Sequence, residues 1–149
     1  MNTKQQLYKA CQDFLNNRLE VIQKTILDIQ NSLQSETKSS AGDKHETGRA
    51  MLQLEREKAG HQLAEIQKLN ETLHKINQEI QHQTVALGSV VYSTQSNYFI
   101  AISAGEIVID KVKFYAISPS TPMAKLLLSK EVGDEVQFRN STFVISKIE

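Results

Sequence analysis

The sequence predicts an α+β protein: an N-terminal antiparallel helical hairpin followed by a small, mainly antiparallel sheet domain with one short helix. Two observations predict it. Residues 1–82 contain no Pro, one Val (Val21) and many Gln, Leu, Glu and Lys, whereas residues 83–149 hold the other valines and both prolines. Apolar residues recur at helical spacing in the first stretch and in short β-branched or aromatic runs in the second. The composition therefore divides the chain into 1–82 and 83–149.

The first helix follows from Leu15, Leu19, Ile22, Ile26, Ile29 and Leu33, which alternate steps of four and three as a coiled-coil seam requires. Leu7 or Tyr8 and Cys11 extend the stripe upstream. A second stripe runs through Ala59, Leu63, Ile66, Leu69, Leu73, Ile76 and Ile80, with one slip at Leu69. Neither helix can bury its stripe alone, and one short break between them, near 37–47, makes antiparallel self-pairing the simplest solution. At 1.5 Å rise per residue, about 30 residues give an arm of roughly 45 Å. Gly60 costs the second helix about 1 kcal/mol relative to Ala.

In the second stretch "ALGSVVYST", "NYFIAIS", "EIVID", "VKFYAIS", "DEVQF" and "TFVISKI" read as strands separated by Gly, Ser, Asn or Asp. Phe99, Phe114, Tyr115, Phe138 and Phe143 are the expected core aromatics. Pro119 and Pro122 suit a loop and a helix start, Gly133 suits a turn, and together they predict a helix over Pro122–Ser129.

Several function classes are disfavoured by composition. Seventeen Lys and Arg balance 17 Asp and Glu, so net charge gives no argument for non-specific nucleic-acid or membrane attraction. Cys11 is the one cysteine, which excludes an internal disulfide and fits a reducing compartment. The polar start lacks a signal-peptide core, and no stretch approaches the roughly 18 apolar residues of a membrane span. These features predict a cytoplasmic protein. His45, His61, His74 and His82 lack metal-site spacing and read as solvated helix faces, and Cys11 reads as apolar filler on the seam.

Asp43 and Glu46, three apart where the second helix begins, resemble a capping box. The same spacing puts two carboxylates on one side of the tip, where they could share a hard cation such as Mg²⁺ if a partner completed its shell. Lys24, Lys38, Lys44, Arg49, Arg56 and Lys58 form a weak basic stripe that is either a solvated face or a phosphate contact.

Three segments carry a family resemblance. "GDKHETGRAMLQLEREK" resembles the tip signature of the Gre family of bacterial transcription elongation (transcript cleavage) factors, a Gly-Asp-x-x-Glu-Asn-Ala-Glu-Tyr run. "LGSVV" resembles the start of that family's C-terminal domain, and "SPSTPMAKLLLSKEVGDEVQF" its Ser-Pro-x-Ser-Pro-x-x-x-x-Leu-Leu-Gly-Lys-x-x-Gly-Asp segment. The resemblance spans nearly the whole chain. It implies an FKBP-like C-terminal domain that docks on RNA polymerase at the secondary channel through Ser118, Pro119, Ser120, Pro122 and Lys125. It also implies tip acids Asp43 and Glu46 that share Mg²⁺ with the polymerase and promote cleavage of backtracked RNA. Lys44, Arg49 and Arg56 would then be weak RNA contacts, with the nascent RNA 3′ end reached indirectly and no sequence-specific DNA binding or membrane involved. The chain would stimulate the polymerase's own cleavage rather than act as an enzyme alone, and Mg²⁺ would be bound only in that complex. Thr47, Gly48, Arg49 and Ala50 depart from the signature, as does Ser129 where the family has Gly. The departures at the tip leave a non-cleaving secondary-channel regulator as an alternative. An FKBP-like chaperone or peptide-binding module is a third reading.

Overall fold

The computed structural model describes residues 1–38 and 43–149, with side chains described outside 36–45. Helix α1 covers Thr3–Lys38 and α2 Asp43–His74, and six strands and one short helix follow. Strands β1–β4 are Val90–Ser93, Asn97–Ile100, Gly105–Ile109 and Val112–Ile117; α3 is Pro122–Leu127, β5 is Glu135–Phe138 and β6 is Ser141–Ile148. The architecture is α+β, a helical hairpin followed by a six-stranded sheet and one short helix. Each of the six sequence runs read as strands overlaps one.

By its contacts the chain forms two compact units, Leu15–Leu69 and Met1–Phe14 with Asn70–Glu149. This partition falls elsewhere than the change of composition at residue 83, because composition tracks secondary structure and contacts track packing. Within the larger unit the beginning of α1 is tied to later segments: the Tyr8 hydroxyl donates to the Leu73 carbonyl (3.1 Å) and Lys4 Nζ to that of Ile80 (2.6 Å). Leu7, Tyr8, Cys11 and Leu73 are buried there.

In the helical unit the seam is as spaced. Leu15, Ile22, Ile29, Ala59 and Ile66 are buried, with Leu19, Ile26, Leu63 and Leu69 partly so. Helix α1 begins with a reciprocal cap: Asn2 Oδ1 accepts from the Gln5 N–H (2.9 Å), and Gln5 Oε1 accepts from the Asn2 N–H (3.0 Å). Asn2→Ala removes one half of this capping box and is expected to lower stability by about 1 kcal/mol in urea denaturation.

Helix α2 ends at His74, short of the predicted stripe through Ile80. The Lys75 and Ile76 amides bond carbonyls three residues back, which tightens the last turn, and Asn77 Oδ1 takes the Glu79 amide (3.0 Å) in a local turn. Ile76 stays buried beyond the helix end, whereas Ile80 is 50% exposed.

The sheet order is β3-β4-β2-β1-β6-β5, antiparallel except for the parallel pair β2 and β4. Registers place Val91, Tyr98, Ile100, Tyr115 and Ile117 on one face and Val90, Phe99, Phe114 and Ala116 on the other. The first face packs with Ala124 and Leu127 of α3 and with Val136, Phe143 and Ile145. On the second, Tyr92 meets Phe114 edge-on at 5.6 Å. Phe99, Phe114 and Phe143 are fully or almost fully buried, while Tyr115 and Phe138 are partly exposed.

Helix α3 stops at Leu127 rather than the predicted Ser129. Leu128 is extended, with ψ 135°, and Ser129 is left-handed, with φ +70°. Burial of Leu127 and the bond from the Ser129 amide to the Val85 carbonyl (2.8 Å) hold it there. The left-handed region costs a side-chain-bearing residue about 1–2 kcal/mol, against roughly 0.5–1 kcal/mol of extra chain entropy for Gly. Ser129→Gly is therefore expected to raise stability by about 0.5–1 kcal/mol in thermal or urea unfolding.

Candidate functional site

The first candidate site is the opening of α2. Asp43 is the helix's first residue and Glu46 lies one turn further along, exposed. An exposed acidic group in the first turn faces the positive end of the helix dipole. The side chains of Asp43, Lys44 and His45, and the segment 39–42, lie outside the described residues. Thr47 is exposed, whereas Gly48 and Arg49 are half-buried. Arg56 is half-buried too, and a Cβ added at Gly60 would meet its Nη1 only at ordinary van der Waals distance, 3.5 Å. Lys24 and Lys58 are exposed, as a solvated face requires. Among the described residues no three His, Cys, Asp or Glu side chains are grouped to hold a metal.

The second candidate is the turn into α3, where local chemistry fixes the backbone. Thr121 is the N-cap: its Oγ1 accepts from the Ala124 amide (3.3 Å) and donates to the Ser118 carbonyl (2.9 Å). Pro122 follows at the start of the helix, where its missing N–H costs nothing. Ser118 and Ser120 pair through their hydroxyls at 3.0 Å, and the Ser118 amide donates to Ser103 Oγ (3.2 Å). Ser120, Pro122 and Lys125 are exposed, with Ser118 and Pro119 partly so. This arrangement presents two proline rings, hydroxyls and one ammonium on a rigid turn, a surface suited to contact with a protein.

A third cluster went unread in the sequence. Lys4 is only 4% exposed, and its Nζ lies 3.3 Å from His82 Nδ1 as well as bonding Ile80. Burial lowers the Lys4 pKa, against the opposing pull of Glu149. His82 is lowered by burial and then by the Lys4 charge, with a hydrogen bond to the Glu149 backbone opposing. It sits partly buried outside the helices, unlike the solvated helix face expected of it; His61 and His74 are exposed. Cys11 is the buried filler its position suggested, and burial pushes its thiol up to about 12.

No protein-family model matches the chain, and no curated protein matches it. A solved structure described as that of the transcription factor Gfh1 is similar at 22% identity, covering 94% of both chains with a TM-score of 0.38. Among the described residues no helix is long and apolar enough to cross a membrane.

Proposed function

We propose that this chain is a Gre-like transcription factor that acts on RNA polymerase through its secondary channel and promotes cleavage of backtracked RNA. The observation that carries the reading is the head of α2. There Asp43 and the exposed Glu46 open a 32-residue helix of a hairpin, in a chain whose tip and Ser-Pro segments resemble the Gre family.

Two carboxylate groups suit Mg²⁺, which commonly takes one or two from a protein and leaves its other positions to water and phosphate. Asp43 and Glu46 would hold the ion with carboxylates of the polymerase, and it would supply a polarised phosphodiester and an activated water there. The rest of the chain has a positioning role: the hairpin carries the acids to the RNA 3′ end, and Ser118, Pro119, Ser120, Pro122 and Lys125 dock on the polymerase. Lys44, Arg49 and Arg56 contact RNA weakly.

A backtracked elongation complex mixed with this protein and Mg²⁺ is the test. Shortened RNA is the expected product, and RNA of unchanged length at saturating protein rejects cleavage. Arg49 favours a second reading, a regulator that enters the channel without cutting, because it puts a cation where the family signature has an acid. That reading predicts altered initiation or pausing, and competition with other channel factors, without cut RNA.

A further inference from the structure

We propose that His82 is a proton-sensitive latch, which when neutral pins the first turn of α1 to segment 80–82 through Lys4 and when protonated releases it. The geometry dictates the tautomer. Lys4 Nζ carries donors only, so His82 Nδ1 at 3.3 Å must be the acceptor. The other ring nitrogen carries the proton and serves the hydrogen bond to the backbone of Glu149.

Both nitrogens are thus engaged in the neutral state. A proton on Nδ1 would replace the acceptor by a donor and set a second cation against a buried ammonium. The contact cannot survive that change with Lys4 charged. Lys4 leaves, and its bond to the Ile80 carbonyl goes with it.

The groups around the pair set the balance. Glu149 faces both residues from the end of β6 and opposes their repulsion, but its carboxylate is shared with Lys147 (2.8 Å) and the Tyr92 hydroxyl (3.3 Å). Glu79 and Asp110 line the groove of about 370 Å³ beside Lys4 and offer it an alternative site once released. Thr3, next in the chain, is bonded to Tyr92 of β1, and Tyr8 keeps its bond to the Leu73 carbonyl, so release at Lys4 loosens the first turn without freeing the helix.

The sign follows from the lowered His82 pKa. Between that value and the ordinary imidazole value of about 6.5, the released or unfolded chain binds a proton that the latched chain does not. The latch is fully closed above about pH 6.5 and is lost as pH falls through that window.

Nuclear magnetic resonance titration of the full chain tests it, following the four imidazoles and the amides of residues 3–8. The expected result is that amides 3–8 shift with the midpoint of His82, below the ordinary imidazole value of about 6.5. His82→Gln offers an acceptor and a donor without titrating, and should leave those amides flat from pH 8 to pH 5. Lys4→Met should raise the His82 midpoint, a readout that stands even if the glutamine variant fails to fold. The proposal is overturned if amides 3–8 stay fixed while His82 titrates, if their shift persists in His82→Gln, or if Lys4→Met leaves the His82 midpoint in place.

Discussion

Asp43→Ala with Glu46→Ala is expected to reduce shortening of backtracked RNA by roughly 100-fold while the protein still binds the polymerase. Metal stabilisation of a phosphoryl transition state is worth several kcal/mol, and losing about 3 kcal/mol of it corresponds to that factor. Glu46 is exposed, so its removal leaves the packing intact. Because acids in a first helical turn also cap, the alanine pair would sacrifice about 1 kcal/mol of helix stability as well. Asp43→Asn with Glu46→Gln separates the two roles, since Asn caps as well as Asp but brings no charge to the metal. Gel analysis of the RNA and a thermal melt of each variant give the answer. Full cleavage by the amide pair would leave capping as the acids' whole purpose.

Gly88→Ala should be the most damaging small change in the sheet unit, costing about 3 kcal/mol or more by urea denaturation. Gly88 is buried with φ +92°, its amide donates to the Ile100 carbonyl at 2.6 Å, and an added Cβ would stand 2.9 Å from Ile76 Cγ2. The left-handed backbone accounts for about 1–2 kcal/mol and overpacking for a further 1–3 kcal/mol, because Ile76 is itself buried and has little room to yield. Gly133 is the internal control. It shares φ +92° but an added Cβ meets nothing within 4 Å, so Gly133→Ala should show the backbone cost alone. Equal losses at the two sites would mean that Ile76 gives way freely.

The parts of this fold that depend on local composition were readable. β-Branched and aromatic residues in "VKFYAIS" and "TFVISKI" gave strands, and Pro122 gave the start of α3, whereas the Thr121 cap that fixes it was not read. The end of α2 was not readable. Ile76 continues the helical spacing and is buried, yet it lies beyond the helix, so the stripe records burial rather than backbone conformation. Lys4 was the other failure: a lysine in a polar first turn looks solvated, and only Ile80 and His82, some eighty residues on, make its burial tolerable. At the candidate site, acid spacing on α2 was legible from sequence. How Thr47, Gly48 and Arg49 bear on the chemistry depends on a partner surface that this sequence does not encode.

The make-up of the larger unit has a consequence for the order in which the chain can fold during synthesis. Met1–Phe14 belongs with Asn70–Glu149, whereas Leu15–Leu69 closes on itself. The ribosome delivers Leu7, Tyr8 and Cys11 first, but Leu73, the carbonyl partner of Tyr8, is made only after the entire helical segment. Local helix pairing forms sooner than contacts across long sequence separation. The earliest residues to be made are therefore buried only after the whole helical segment has been synthesised.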